Sequence, residues 1–151
     1  MSVNTPLHNA FINRLNDLKK VADELPVSVI IHRLDTLQII YMNNTGLMEL
    51  GISLEALNEL SPEHYHLKFF NEEDSKDYIP KVIYLVKSKR EDERASFFQQ
   101  VRTMPDGEWQ LYVSNSRVFF RDDNGDATLA HYRECTRPCA SYYCKGGSPG
   151  R

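Results

Sequence analysis

Histidines and cysteines are the groups in this sequence with the most evident chemistry. His64 and His66 stand two residues apart. On an extended strand that spacing turns both rings to one side, where they could share a metal ion. No third ligand stands nearby, so surface or loop histidines are the simpler reading. Cys135, Cys139 and Cys144 cluster near the C-terminus. Such thiolates could bind zinc or answer an oxidant, but their spacing matches no common zinc module. An odd number of cysteines confined to the last seventeen residues is no disulfide framework. No Gly-x-Ser-x-Gly elbow and no phosphate-cradling glycine loop occurs. Catalysis is therefore not the expectation.

The chain has 151 residues, enough for one domain with one core. Its net charge is −3 with both signs interspersed, so no basic arm invites direct contact with nucleic acid. Aromatic residues make up 11%, which argues against disorder. The longest apolar stretch, residues 37–42, is strand-sized, far short of a membrane span. No basic region followed by an apolar run opens the sequence, so a secretory signal is not expected. A cytoplasmic location follows by elimination.

Residues 7–25 read as an amphipathic helix, because Phe11, Leu15, Leu18, Ala22 and Leu25 recur at spacings of four and three. Pro26 ends it. Packing on its own domain and packing on a partner subunit are both compatible with two heptads; on the second reading Phe11, Leu15, Leu18 and Ala22 form a dimer contact. Residues 27–32 and 37–43, with Asp35 and Thr36 between them, read as a β-hairpin. Residues 44–51 read as a short helix stopped by Gly51. Residues 54–60 read as another, capped by Ser53 and broken by Ser61-Pro62. Residues 72–90 read as a longer helix, acidic at its start and basic at its end, with Ile79, Val82, Ile83 and Val86 as its apolar face. Pro80 either falls in its first turn or kinks it. Three strands follow, at residues 95–103, 109–121 and 127–136, joined by turns at Pro105-Asp106-Gly107 and Asp122-Asp123-Asn124-Gly125. Residues 137–151 read as a flexible tail or a vector-encoded remnant. The expected organisation is a helix over 1–25, a folded body over 26–136, and that tail.

Three stretches carry a resemblance. Ile39-Ile40-Tyr41-Met42-Asn43-Asn44, followed by Leu47 to Glu55, resembles the second strand and first core helices of PAS domains. Asn71-Glu72-Glu73-Asp74 resembles the acidic step before that family's long helix. Pro105-Asp106-Gly107 with Trp109, then Asp122 to Gly125 and Glu134-Cys135-Thr136, resembles its two hairpin turns and closing strand. The resemblance covers about residues 25–136. It implies an α+β fold, a five-stranded antiparallel sheet in order 2-1-5-4-3, with helices cupped over one face and the N-terminal helix flanking.

The resemblance also implies a small cavity between the long helix and the sheet. Ile79, Val82, Ile83 and Val86 would face it, with Gln100, Tyr112, Ser114 and Tyr132 opposite by the family's register. A filled core without ligand is the competing reading. Neither parity of residues 109–120 is wholly polar, so both sheet faces are expected to be covered. Flavin-binding members of the family carry a cysteine before the long helix; here none precedes Cys135. Haem-binding members often supply a histidine from that helix; here it has none. No cofactor is therefore assigned. The implied function is a signal-sensing and dimerisation module of a transcriptional regulator. It would bind a small molecule, form a homodimer, and touch neither membrane nor nucleic acid itself. A purely structural dimerisation domain is the alternative. A small cone-shaped α+β enzyme is the third reading, weakened because the cavity residues include no histidine–acid pair.

Overall fold

The computed structural model describes residues 6–34, 36, 38–88, 90–102 and 107–136. Eleven elements run in the order α1 (Pro6–Ala22), β1 (Ser28–Arg33), β2 (Ile39–Met42), α2 (Asn44–Leu50), α3 (Leu54–Glu59), α4 (Pro62–Phe69), a 3-10 turn (Glu72–Asp74), α5 (Ser75–Lys87), β3 (Ala95–Val101), β4 (Gln110–Arg121) and β5 (Ala127–Cys135). The five strands form one antiparallel sheet in the order β2-β1-β5-β4-β3, as the resemblance implies.

Local chemistry accounts for most boundaries. Asn43, Ser53 and Ser61 each cap a helix by accepting a backbone N–H in its first turn. Gly51 ends α2 in the left-handed region that favours glycine. Gly46 lies so close to β2 that a Cβ there would come within 2.6 Å of Met42 Cγ. Ser61-Pro62 does not merely break α3. It starts α4, with Ser61 as cap and Pro62 in the first turn, where its missing N–H costs nothing. That helix was not expected from the sequence. It also corrects the metal reading of His64 and His66, since neighbours two apart on a helix do not face each other.

Both sheet faces are covered, but unequally. On one face Ile30, Met42, Leu50, Leu57, Tyr65, Phe69, Phe70, Val101, Tyr112 and Cys135 form the main core under α2 to α4. On the other, α1 lays Phe11 and Leu15 against Ile31, Phe119 and Ala130, with Leu18 packed beside them. Ala22 is fully buried at the end of α1. Phe11, Leu15 and Leu18 thus pack on the protein's own sheet and Ala22 is buried within the protein, which counts against their reading as a dimer contact. The outer face at β3 and β4 stays bare, with Phe98 58% and Leu111 45% exposed.

The edge of β3 is protected. Asn71 N–H donates to Gln100 O, Arg102 N–H donates to Phe69 O, and Asp74 accepts from Gln100 N–H. The acidic step thus occupies hydrogen-bonding positions that an open edge would offer to another chain. At the far end of α5, Arg121 donates to the carbonyls of Leu85, Val86 and Ser88, which ties the helix to β4. The turn at Met104-Pro105-Asp106, Asp35 of the first hairpin, and the segment 137–151 with Cys139 and Cys144 lie outside the described residues.

Candidate functional site

The helix-covered face of the sheet carries an unusual share of polar groups. Strand register fixes the rows. Cys135, Tyr112 and Gln99 lie across from one another; so do Ser28, Arg133, Ser114 and Phe97; so do Ile30, His131, Ser116 and Ala95. His32 and Leu129 form the next pair. Ser28, Gln99, Ser114, Ser116, His131 and Arg133 are all buried. A buried polar group needs a partner, and the partners form three local systems.

The first is a histidine stack. The rings of His32 and His131 lie 4.5 Å apart and nearly parallel. His131 Nε2 and His32 Nδ1 share a hydrogen bond of 3.0 Å, and His131 Nδ1 shares another with Ser116 Oγ. Burial holds both rings neutral. It lowers His32 to about 4, helped by the charge of Arg133, and pushes His131 well below its ordinary value, helped by His32 and Arg133. Ser116 beside His131 has the residue types of a nucleophile and base. Yet Ser116 is 1% exposed and the ring behind is another histidine, so the trio packs rather than reacts.

The second system joins α4, α5 and β3. Tyr78 Oη and His66 Nε2 share a hydrogen bond of 2.8 Å, and Tyr78 stacks on Phe97 at 5.0 Å. Burial raises Tyr78 to about 12 and lowers His66, the latter aided by Arg133.

The third centres on Arg133. Its Nε donates to Ser114 Oγ at 3.4 Å, and Ser114 Oγ donates to Gln99 Oε1 at 2.9 Å. Its guanidinium lies 4.7 Å over the ring of Phe70. Tyr65 packs on the same ring, centroids 5.2 Å apart. The Tyr65 hydroxyl is buried and has no hydrogen-bond partner among the described residues. Burial raises its pKa, and nearby Arg133 opposes the rise. Arg133 also borders a narrow void with Ser28, Glu49 and Tyr112 that admits no water-sized sphere. Ser28 Oγ donates to Glu49 across its rim at 3.1 Å. Burial raises Tyr112, reinforced by Glu49.

Open space lies elsewhere than expected. A cavity of about 220 Å³ opens between the first hairpin and α3–α4, lined by Thr36, Gln38, Ile39, Leu57, Leu60 and Tyr65 among others. Beneath α5 the ring of Tyr78 and the side chain of Leu85 fill the space. Ile79 and Ile83 turn outward, each 47% exposed, which corrects their assignment to a cavity wall. Val82 and Val86 are half-buried. The sequence offered two apolar stripes on α5, and the larger Tyr78 takes the inward one.

Tyr112 and Ser114 do face the interior. Gln100 does not: it pairs with Leu111 on the opposite parity, and Asp74 holds its backbone and side-chain N–H at the sheet edge. Tyr132 lies in the α1 cluster on the other face. The cause is a bulge between Val118 and Phe120, which moves the β4–β5 register by one residue. The register near the turn, continued without the bulge, would set Tyr132 opposite Ser116; with it, His131 takes that place. Sequence reasoning therefore missed His131 and Arg133. The alternation Leu129, His131, Arg133, Cys135 against Ala130 and Tyr132 was the available signal.

Several solved structures share this architecture. A PAS domain from a two-component sensor histidine kinase matches with TM-score 0.60 at 10% identity, over 83% of this chain and 98% of that one. The PAS domain of BvgS from Bordetella pertussis matches with TM-score 0.58 at 12% identity, over 89% and 95%. The PAS domain of an HTR-like protein from Haloarcula marismortui matches with TM-score 0.56 at 16% identity, over 85% and 96%. No family model matches the sequence, and no curated protein matches it. What these structures have in common with the present chain is the fold.

Proposed function

We propose that this domain, which has the PAS fold, is a signal-sensing module that admits a small molecule between its sheet and its short helices. A fold alone does not assign a role. The observation that carries the reading is the 220 Å³ cavity beside Tyr65, whose buried hydroxyl has no ordinary hydrogen-bond partner among the described residues. A packed structural core tends to leave neither. Tyr112 and Ser114 are buried on the same sheet face, whereas neither they nor Val82 and Val86 line this cavity.

Asn43 supplies the route outward. Its Nδ2 donates to Ala22 O at the end of α1 and to Val27 O, while its Oδ1 accepts from Val29 N–H and Gly46 N–H. A shift of α2 over the core therefore reaches α1 through one side chain. From α1 the signal passes to an output domain, for which DNA-binding regulation of transcription is the form we favour. No helix among the described residues is long and apolar enough to cross a membrane.

Thermal unfolding against a broad metabolite panel, with native mass spectrometry of the same samples, tests the reading. At least one compound should raise the midpoint in a concentration-dependent way and appear as a one-to-one adduct. A panel without response and a bare protein mass would sink it.

The bare patch at β3 and β4 favours a second reading, in which the domain chiefly associates with another copy of itself. Phe98, Leu111 and part-exposed Trp109 are apolar residues on a surface that α1 does not reach. Light scattering separates the two readings, since a dimer indifferent to every compound belongs to the second.

A further inference from the structure

Among the described residues, the interior holds one permanent positive charge without an ion pair. Arg133 is 6% exposed. A guanidinium keeps its proton at any pH a protein tolerates, so it cannot shed its charge on burial as His32 and His131 do. Buried charges are normally paired, because an unpaired one is costly. Arg133 makes no ion pair among the described residues. Among the described residues its hydrogen bond runs from Nε to Ser114 Oγ, with the Tyr65 hydroxyl close by. Glu49 borders the same void but turns its carboxylate to Ser28.

Tyr65 packs on the same Phe70 ring, its hydroxyl close to Arg133 and without an ordinary hydrogen-bond partner among the described residues. Two donors thus meet around one ring, and neither finds a carboxylate partner among the described residues. The ring of Tyr65 also walls the 220 Å³ cavity, where Ile39, Leu57, Leu60 and Pro62 supply apolar surface.

We propose that the interior binds a small organic monocarboxylate, its carboxylate accepting from the Arg133 Nη groups and the Tyr65 hydroxyl, its apolar body lying in the cavity past Tyr65. This deepens the sensor reading and rests on it. A planar carboxylate suits the fork of a guanidinium. One negative charge is the limit, because a second would meet Glu49. The body is small, since about 300–1,000 Å³ is usual for drug-sized ligands and the cavity is about 220 Å³. Tyr65 lines the cavity and Arg133 does not, so a carboxylate that reaches Arg133 from the cavity displaces Tyr65 and with it α4, whose movement is the signal.

The test uses the full chain. Hexanoate and benzoate are compared with hexanamide, hexanol and benzamide, and with chloride and phosphate, by thermal unfolding and calorimetry. The carboxylates should raise the midpoint by about 3–6 °C at tenfold excess over Kd, with the amides, the alcohol and inorganic anions inert. Arg133→Met should abolish the response, and Tyr65→Phe should weaken binding at least about tenfold. Circular dichroism verifies that each variant folds; if Arg133→Met does not, Tyr65→Phe decides alone. Equal response to amides and alcohol overturns the anion site and leaves the sensor reading standing. Equal response to inorganic anions overturns the organic body. Undiminished binding in Tyr65→Phe or in folded Arg133→Met overturns the residue assignment. No response here, with neutral ligands found in the broad panel, defeats this proposal alone; silence in both defeats the two together.

Discussion

At the scale of residues, charge and burial set the behaviour of the interior. His32 and His131 are neutral in the fold and take protons freely only when unfolded. Above about pH 6.5 both states are neutral there and the pair leaves stability unchanged. As pH falls below that value the unfolded chain binds protons that the native state refuses, so stability drops. His32 keeps contributing to the loss down to about pH 4, and His131 further. Each histidine steepens the slope by up to about 1.4 kcal/mol per pH unit. Urea midpoints between pH 7 and pH 5 should fall accordingly, and His32→Gln with His131→Gln should flatten most of that fall. His66, lowered chiefly by burial, pulls in the same direction. An unchanged slope in the double variant would show that these rings are not held neutral. Asn43 gives a second expectation. Its four hydrogen bonds are all to buried or half-buried backbone, so Asn43→Ala should cost about 3 kcal/mol or more by urea unfolding. A loss under about 1 kcal/mol would remove it as the link between α1 and α2.

At the scale of elements, the decisive choices were between faces. The heptad spacing of α1 allowed either its own sheet or a partner, and the sheet holds it. Leu15→Glu should therefore act as a core substitution, costing about 3 kcal/mol or more and exposing α1 to proteolysis. An unaltered melting midpoint with a reduced oligomer mass would restore the dimer assignment. On α5, neighbouring apolar residues at 78–79 and 82–86 left the inward face ambiguous. Tyr78 settles it by stacking on Phe97 and bonding to His66. The helix α4 escaped notice because Ser-Pro ends one helix as readily as it opens the next.

At the scale of the whole molecule, five strands have two faces, and one seventeen-residue helix cannot cover the outer one. The remainder, at Phe98, Leu111 and Trp109, is where self-association would bury most apolar area. Phe98→Lys with Leu111→Lys should lower the mass seen by light scattering to a monomer's while leaving the melting midpoint within a few degrees. A dimer that survives both changes lies on another surface.

The sequence by itself determined the order of the elements apart from α4, the cap at Ser53, the stop at Gly51 and the turn after β4; by resemblance it also carried the strand order. These follow from neighbours in the chain: helix periodicity, cap and turn chemistry, and a proline's fixed dihedral. The tertiary structure decided which residues share a side. One inserted residue in β4 exchanged Tyr132 for His131 and Arg133 on the inner face, because side chains alternate and a register step reverses every one beyond it. The setting of Arg133 was equally out of reach from sequence, since it depends on Glu49, Tyr65, Phe70 and Ser114 arriving from four other segments, with no ion pair to Arg133 among the described residues.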